Sequence, residues 1–311
     1  MSRVGRGARY SRKRAFLEVV ARAVYAGGWA AKVWGALPGR TTVDLVEHRL
    51  PLLPVHPMPM PMPMPLPHGA PGVGVAVPSL EKRVLRVAFA SDLHIGPLTP
   101  SRLLDNAFAL LASARPDVLV LGGDYVFLDA TPAMARELEH RVAAVPAPVK
   151  LAVMGNHDLW TRHDLIEESL RRAGATVLVN QGMRLPPPFD DVAFVGLDDA
   201  FTGQPDLEPA LRDAGGAPLT IAVAHSPEVL PLVAGKGIPL LMCGHTHGGQ
   251  IASPRGPILL HGRQGRRYPA GLFQLPDLHL FVSRGLGNVE LPVRVFARPD
   301  VCLFTLVSPQ T

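Results

Sequence analysis

Three apolar runs, residues 84–90, 118–121 and 149–153, each end in a polar cluster, and Asp92, Asp124 and Asn156 follow them at 32-residue intervals. Between the runs, residues 103–114 and 133–144 carry apolar side chains at helical spacing, the first with Ser101 near its start and Pro116 at its close. An interval of about 30 residues is one βαβ unit, which brings successive strands parallel with their carboxyl ends along one edge. Asp92, His94, Asp124 and Asn156 are thereby brought to one crevice.

Residues 162–173 read as a further helix and 176–179 as a further strand. Beyond Asn180 the apolar segments shorten: 192–197, 219–224, 238–242, 278–282, 293–297 and 301–307 read as strands. The economical arrangement is α/β, a four-layer αββα sandwich of two mixed β-sheets flanked by helices. Polar residues keep arriving at strand ends, with His225 after the second of these segments and His245 after the third. In Gly-His-Thr-His-Gly-Gly, the glycines at 244, 248 and 249 allow a tight loop that presents His245 and His247 inward, and imidazole suits Mn, Fe, Ni, Zn or Cu.

The chain of 311 residues is 47% hydrophobic, enough to bury a large core. Its net charge of +5 sits in an N-terminal arm, where residues 1–40 hold nine Lys or Arg against Glu18 alone. The remainder has 22 basic against 25 acidic residues and no basic stripe, which argues against an extended nucleic-acid track. Two cysteines, Cys243 and Cys302, are too few for a disulfide framework, and Cys243 reads as core rather than ligand.

Residues 15–38 are too polar for a membrane span. Lys13-Arg14-Ala15-Phe16-Leu17 resembles a Lys-Arg variant of a twin-arginine export signal, but no strong apolar region or cleavage site follows. An amphipathic helix on an anionic membrane surface fits the basic and apolar mixture better. The expected location is therefore cytoplasmic, peripheral to the inner face of the membrane, with export as the competing reading. Residues 41–49 alternate like a strand, and residues 56–68 form a Met-Pro repeat that excludes helix and ladder alike. This divides the chain into an arm with its linker, 1–80, and a catalytic unit, 81–311.

Asp92-x-His94, Gly-Asp124, Gly-Asn156-His157-Asp158, His225 and Gly-His245-Thr-His247 occur in this order, each after an apolar strand. The five blocks resemble the signature of the calcineurin-like metallophosphoesterase superfamily across residues 84–307. That resemblance implies two divalent metal ions of the Mn, Fe, Zn or Ni type. One would be held by Asp92, His94 and His247, the other by Asn156, His225 and His245, with Asp124 bridging and a hydroxide as nucleophile. It further implies that His157 stabilises phosphoryl charge or protonates the leaving oxygen, with Asp158 fixing its tautomer. Gly248-Gly249-Gln250-Ile251 and Ser283-Arg284-Gly285-Leu286-Gly287 are similar to a bacterial, membrane-associated phosphodiesterase-like branch. There Arg284 would contact substrate phosphate, and Asp198 and Asp199 would face the substrate or cap a turn. After Asp124 comes Tyr-Val-Phe-Leu, whereas the protein phosphatases of the superfamily have Asp-Arg-Gly, so a protein substrate is disfavoured.

The implied activity is hydrolysis of a phosphodiester or pyrophosphate, small or lipid-linked. The alternatives are a nuclease, or a silent scaffold of the same fold, although no ligand of the signature is missing. His48, His56, His68, His140, His163, His261 and His279 match no block and read as packing or surface residues.

Overall fold

The computed structural model describes residues 12–54, 83–258, 260 and 262–309. The Met-Pro repeat, with His56 and His68, and also His261, lie outside the described residues. Helices α1 (Arg12–Val24) and α2 (Trp29–Ala36) lead into β1 (Asp44–Leu50), and β2 (Val84–Ala90), α3 (Ser101–Ser113), β3 (Val118–Leu121), α4 (Pro132–Ala143) and β4 (Val149–Ala152) follow. The short α5 (Asn156–Trp160), then α6 (His163–Arg172) and β5 (Ala175–Val177), complete the first half. The second half runs β6 (Gln181–Arg184), β7 (Val192–Gly196), α7 (Leu207–Ala214), β8 (Leu219–Val223), α8 (Leu230–Val233) and β9 (Leu240–Cys243). A two-residue hairpin, β10 (Ala252–Ser253) with β11 (Gly256–Pro257), precedes α9 (Arg263–Arg267), β12 (Gly271–Gln274), β13 (His279–Val282) and β14 (Asp300–Val307).

The strands form two six-stranded sheets, ordered β1-β14-β2-β3-β4-β5 and β12-β13-β9-β8-β7-β6. From β2 to β5 and from β7 to β13 the neighbours are parallel, and the mixed character comes from β14 against β2 and from β6 and β12 at the edges. Central strands such as β3 (Val-Leu-Val-Leu) are buried on both faces, which is why they read as continuous apolar runs rather than alternating ones. Val87, Phe89, Val120 and Leu151 of the first sheet meet Phe194, Ile221, Met242 and Phe281 of the second in one apolar layer. On the outer faces, α3, α4 and α6 cover the first sheet through Leu104, Leu138 and Ile166, while α7 and α8 cover the second through Leu207, Ala210 and Val233. The four-layer αββα sandwich is thus observed.

Two expectations change. Residues 41–49, assigned to the arm, supply β1, which pairs in parallel with β14 from Asp44↔Asp300 to Leu50↔Leu306. One strand of the first sheet thus comes from the N-terminal side of the division at 80/81. Residues 293–297 make only a single bridge, Val295 with Ile251, because this segment wraps Arg294 inward instead of running along a neighbour.

Candidate metal centre

The carboxyl ends of β2, β3, β4, β8 and β9 meet along one edge of the sandwich. Asp92, His94, Asp124, His245 and His247 all take left-handed backbone angles, φ between +43° and +73°. Such angles are uncommon outside glycine and are held only where the surroundings enforce them. The enforcing contacts are visible: Asp92 N–H donates to Gly123 O (2.8 Å), His94 N–H to Asp124 O (3.1 Å), and His245 N–H to the Asp92 carboxylate (3.1 Å). At Gly155 a Cβ would collide with the Asp124 carboxylate and at Gly244 with that of Asp92, so glycine there is a condition of the site.

Two groups of side-chain donors result, Asp92, His94 and His247, and Asp124, His225 and His245, each with its ligand atoms within 4.8 Å of one another. In the first, His94 Nε2 lies 3.1 Å from His247 Nε2, which is 3.3 Å from Asp92 Oδ1. In the second, His225 Nε2 lies 3.2 Å from His245 Nδ1 and 3.2 Å from Asp124 Oδ2. The same Asp124 oxygen is 3.7 Å from His94 Nε2, so one carboxylate faces both groups. Asn156 starts α5 with its side-chain oxygen buried and without a partner, a donor suited to a cation. Mixed oxygen and nitrogen donors of this kind fit divalent Mn, Fe, Zn or Ni.

The electrostatics prepare the site for cations. Burial pulls His94 down to about 4 and, helped by the neighbouring charge on His225, His245 down to about 3, so both imidazoles are neutral near pH 7. For His225 burial acts downward, but the Asp124 carboxylate outweighs it and raises the pKa well above 6.5. Nδ1 of His225 donates to Gly122 O at 2.8 Å, which turns Nε2 toward Asp124. Burial resists ionisation of Asp92 and Asp124, yet the surrounding histidines hold both carboxyls below the usual range.

His157 stands at the edge of both groups. Its ring lies 4.9 Å from that of His94 and 4.9 Å from that of Trp160, and its backbone N–H donates to Asp124 Oδ1 at 2.8 Å. Asp158 does something other than fix the tautomer of His157. Adjacent positions on a helix point apart, and the Asp158 carboxylate turns back to accept from the N–H groups of Asp124 (2.8 Å), Tyr125 (2.8 Å) and Gly155 (2.9 Å). Burial, followed by the charge of Asp124, pushes its carboxyl up to about 8.

Arg284 is likewise placed differently from expectation. Its Nε donates to Asp300 (2.9 Å) and its terminal nitrogen to Asp44 (3.1 Å), so it ties β13 to β14 and β1 and is not among the residues that line the crevice. Arg294, which the blocks do not include, reaches the centre instead. It is buried and donates to the carbonyls of Arg284 (2.8 Å) and Ala297 (3.2 Å), with a terminal nitrogen 3.0 Å from His247 Nδ1. A lone arginine in the apolar stretch Leu-Pro-Val-Arg-Val-Phe-Ala was the available signal. Asp198 and Asp199 cap their own loop, accepting from the N–H groups of Gln204 and Thr202, and this presses Phe201 onto His245 with ring centroids 4.6 Å apart. Cys243 is buried among apolar neighbours as expected.

A crevice of about 320 Å³ opens over the centre, walled by Trp160, Phe201, Ile251, Val289 and Leu291. Gln250 holds the far rim, with its amide donating to the carbonyls of Val289 and Leu291 at 2.9 Å. Compared with known protein families, residues 85–249 match the calcineurin-like phosphoesterase family. The chain belongs to that family. As a calcineurin-like phosphoesterase it is a metal-dependent phosphoester hydrolase with several curated relatives. Phosphodiesterase YaeI of Escherichia coli K12 is 32% identical over 228 residues, 71% of this chain and 82% of that protein. The uncharacterized metallophosphoesterase YkuE of Bacillus subtilis 168 is 31% identical over 70% of this chain and 77% of its own. UDP-2,3-diacylglucosamine pyrophosphatase LpxG of Chlamydia trachomatis serovar D is 26% identical over 70% and 82%.

Proposed function

We propose that this calcineurin-like phosphoesterase hydrolyses a phosphodiester or a substituted pyrophosphate with an apolar, lipid-linked portion. The observation that carries the reading is the single Asp124 oxygen facing both donor groups beneath an apolar crevice. Asp92, His94 and His247 would hold one divalent cation, and Asn156, His225 and His245 the second, with Asp124 shared. Bound there, the cations would supply activation of water and neutralisation of phosphoryl charge. His157 would donate a hydrogen bond to a phosphoryl oxygen or a proton to the departing one. Gln250 fixes the rim, and Phe201 and Trp160 would cover the apolar sides of His245 and His157.

Among the described residues, no lysine or arginine lines the crevice. A disubstituted phosphorus carries one negative charge fewer than a monoester dianion and needs less compensation from side chains. A pyrophosphate bearing a group at each end is disubstituted at each phosphorus and falls within the same reading. The names of YaeI and LpxG, a phosphodiesterase and a UDP-2,3-diacylglucosamine pyrophosphatase, agree with it. The apolar walls and the charge balance of the body disfavour a nuclease, and the intact donor set disfavours a silent scaffold. We assign residues 44–50 together with 83–309 to the catalytic unit, and place the protein at the inner face of the membrane. Among the described residues no helix is long and apolar enough to cross a membrane.

The test is hydrolysis of bis-p-nitrophenyl phosphate beside p-nitrophenyl phosphate by apo-protein given Mn, Ni, Zn or no metal. Diester turnover should dominate, vanish in Asp124→Asn, and fall by about 10²–10⁴ in His157→Ala with metal content unchanged. Monoester preference would overturn the substrate assignment, and wild-type turnover in His157→Ala would overturn the role of that residue.

A further inference from the structure

Among the described side chains of helix α1, the one that is buried is charged and the large apolar ones face outward. Glu18 is 8% exposed, whereas Phe16 (66%), Val19 (64%), Val20 and Val24 face outward. Spacings of three and four place those four on one stripe, the reverse of an amphipathic helix that covers a core. The docking itself is specific. Arg22 pairs with Asp129, the Tyr25 hydroxyl donates to Glu290 O at 3.1 Å, and Ala31 N–H donates to Pro97 O at 3.3 Å. Ala30 is buried with Leu98 and Phe127, and Tyr25 and Val289 pack against them. Helix α2 continues the outward display with Trp29 and Val33.

We propose that α1 and α2 form a docking face for an anionic lipid bilayer, and that this face holds the rim of the catalytic crevice against the lipid surface. Three observations select a bilayer. Residues 1–40 carry nine basic side chains against one acid, which complements anionic headgroups. The same charge opposes a face-to-face pairing of two copies of this chain, because like-charged arms repel. The face is also continuous with the crevice: Tyr25 bonds Glu290 and packs beside Val289, and both of these line it. A substrate with its phosphoester at the headgroup level would then enter past Val289 and Leu291 without leaving the bilayer. This deepens the lipid-linked reading and rests on it only for the route of the substrate, since binding is read without turnover.

The experiment is co-sedimentation of the full chain with vesicles of phosphatidylglycerol and phosphatidylethanolamine, or of phosphatidylcholine alone, beside the triple variant Phe16→Ser, Val20→Ser, Val24→Ser. The wild type should pellet with the anionic vesicles, less at high salt, and the triple variant should lose about tenfold or more in partition. Hydrolysis of bis-p-nitrophenyl phosphate without vesicles should be the same in both. A fluorophore placed at Val20→Cys, with Cys243 and Cys302 buried, should shift to the blue on anionic vesicles. Equal pelleting of wild type and triple variant, no shift at position 20, or a stable dimer that the triple variant abolishes would each overturn the proposal. Failure of hydrolysis with binding intact would count against the catalytic reading alone.

Discussion

His225 Nε2 lies 3.2 Å from Asp124 Oδ2, so in metal-free protein a proton and a cation compete for one place. Its raised pKa stabilises the metal-free fold fully below 6.5, the unfolded value, and this contribution is lost as pH rises through the higher folded value. Thermal scans of apo-protein should therefore show a melting temperature that falls with pH above 6.5, and calorimetry should show metal affinity that rises with pH and proton release on binding. Absence of proton release would contradict a protonated Nε2 on His225 in the metal-free protein. Arg294 is the second test at this scale. Its guanidinium braces the loop behind His247 by donating to the carbonyls of Arg284 and Ala297, so Arg294→Met should loosen that loop and release metal to a chelator at lower concentration with unchanged circular dichroism. Unchanged retention would reduce Arg294 to a brace of its own loop. The donors themselves were legible because side-chain chemistry at strand ends is written in residue type. Arg284 stands in a Gly-rich segment and Arg294 in an apolar stretch, but their separate fates come from which carboxylates and carbonyls the fold brings near.

Helix α5 shows how an element of five residues positions a site. Asn156 offers its oxygen, His157 its ring, and Asp158 folds back on the amides of the β3 and β4 loops, locking α5 to Asp124. Each buried amide left without an acceptor costs about 1–3 kcal/mol, so Asp158→Ala should lose roughly 3 kcal/mol or more in urea denaturation of the apo-protein. Intact stability with turnover alone reduced would restore the tautomer-fixing role. The parallel βαβ units were readable from their 32-residue period, whereas α5 was not, because its length is set by a carboxylate that must reach three N–H groups. Strand β1 was seen as a strand but not as a member of the first sheet, since edge pairing across the linker leaves no periodicity.

At the scale of the molecule, the layer between the two sheets is the core they share, and Phe281 joins them there with rings of Phe89 at 5.8 Å and Phe304 at 5.1 Å. Phe281→Ala should cost about 3–5 kcal/mol and leave a single unfolding transition; two transitions would show that the sheets unfold separately. Both donor groups straddle this layer, drawing Asp92, His94 and Asp124 from one sheet and His225, His245 and His247 from the other. Neither group closes before His245 and His247 have been synthesised and the second sheet has docked. A nascent chain on the ribosome thus has no complete set to offer, and a cation can be held by either full set only after the two sheets have met.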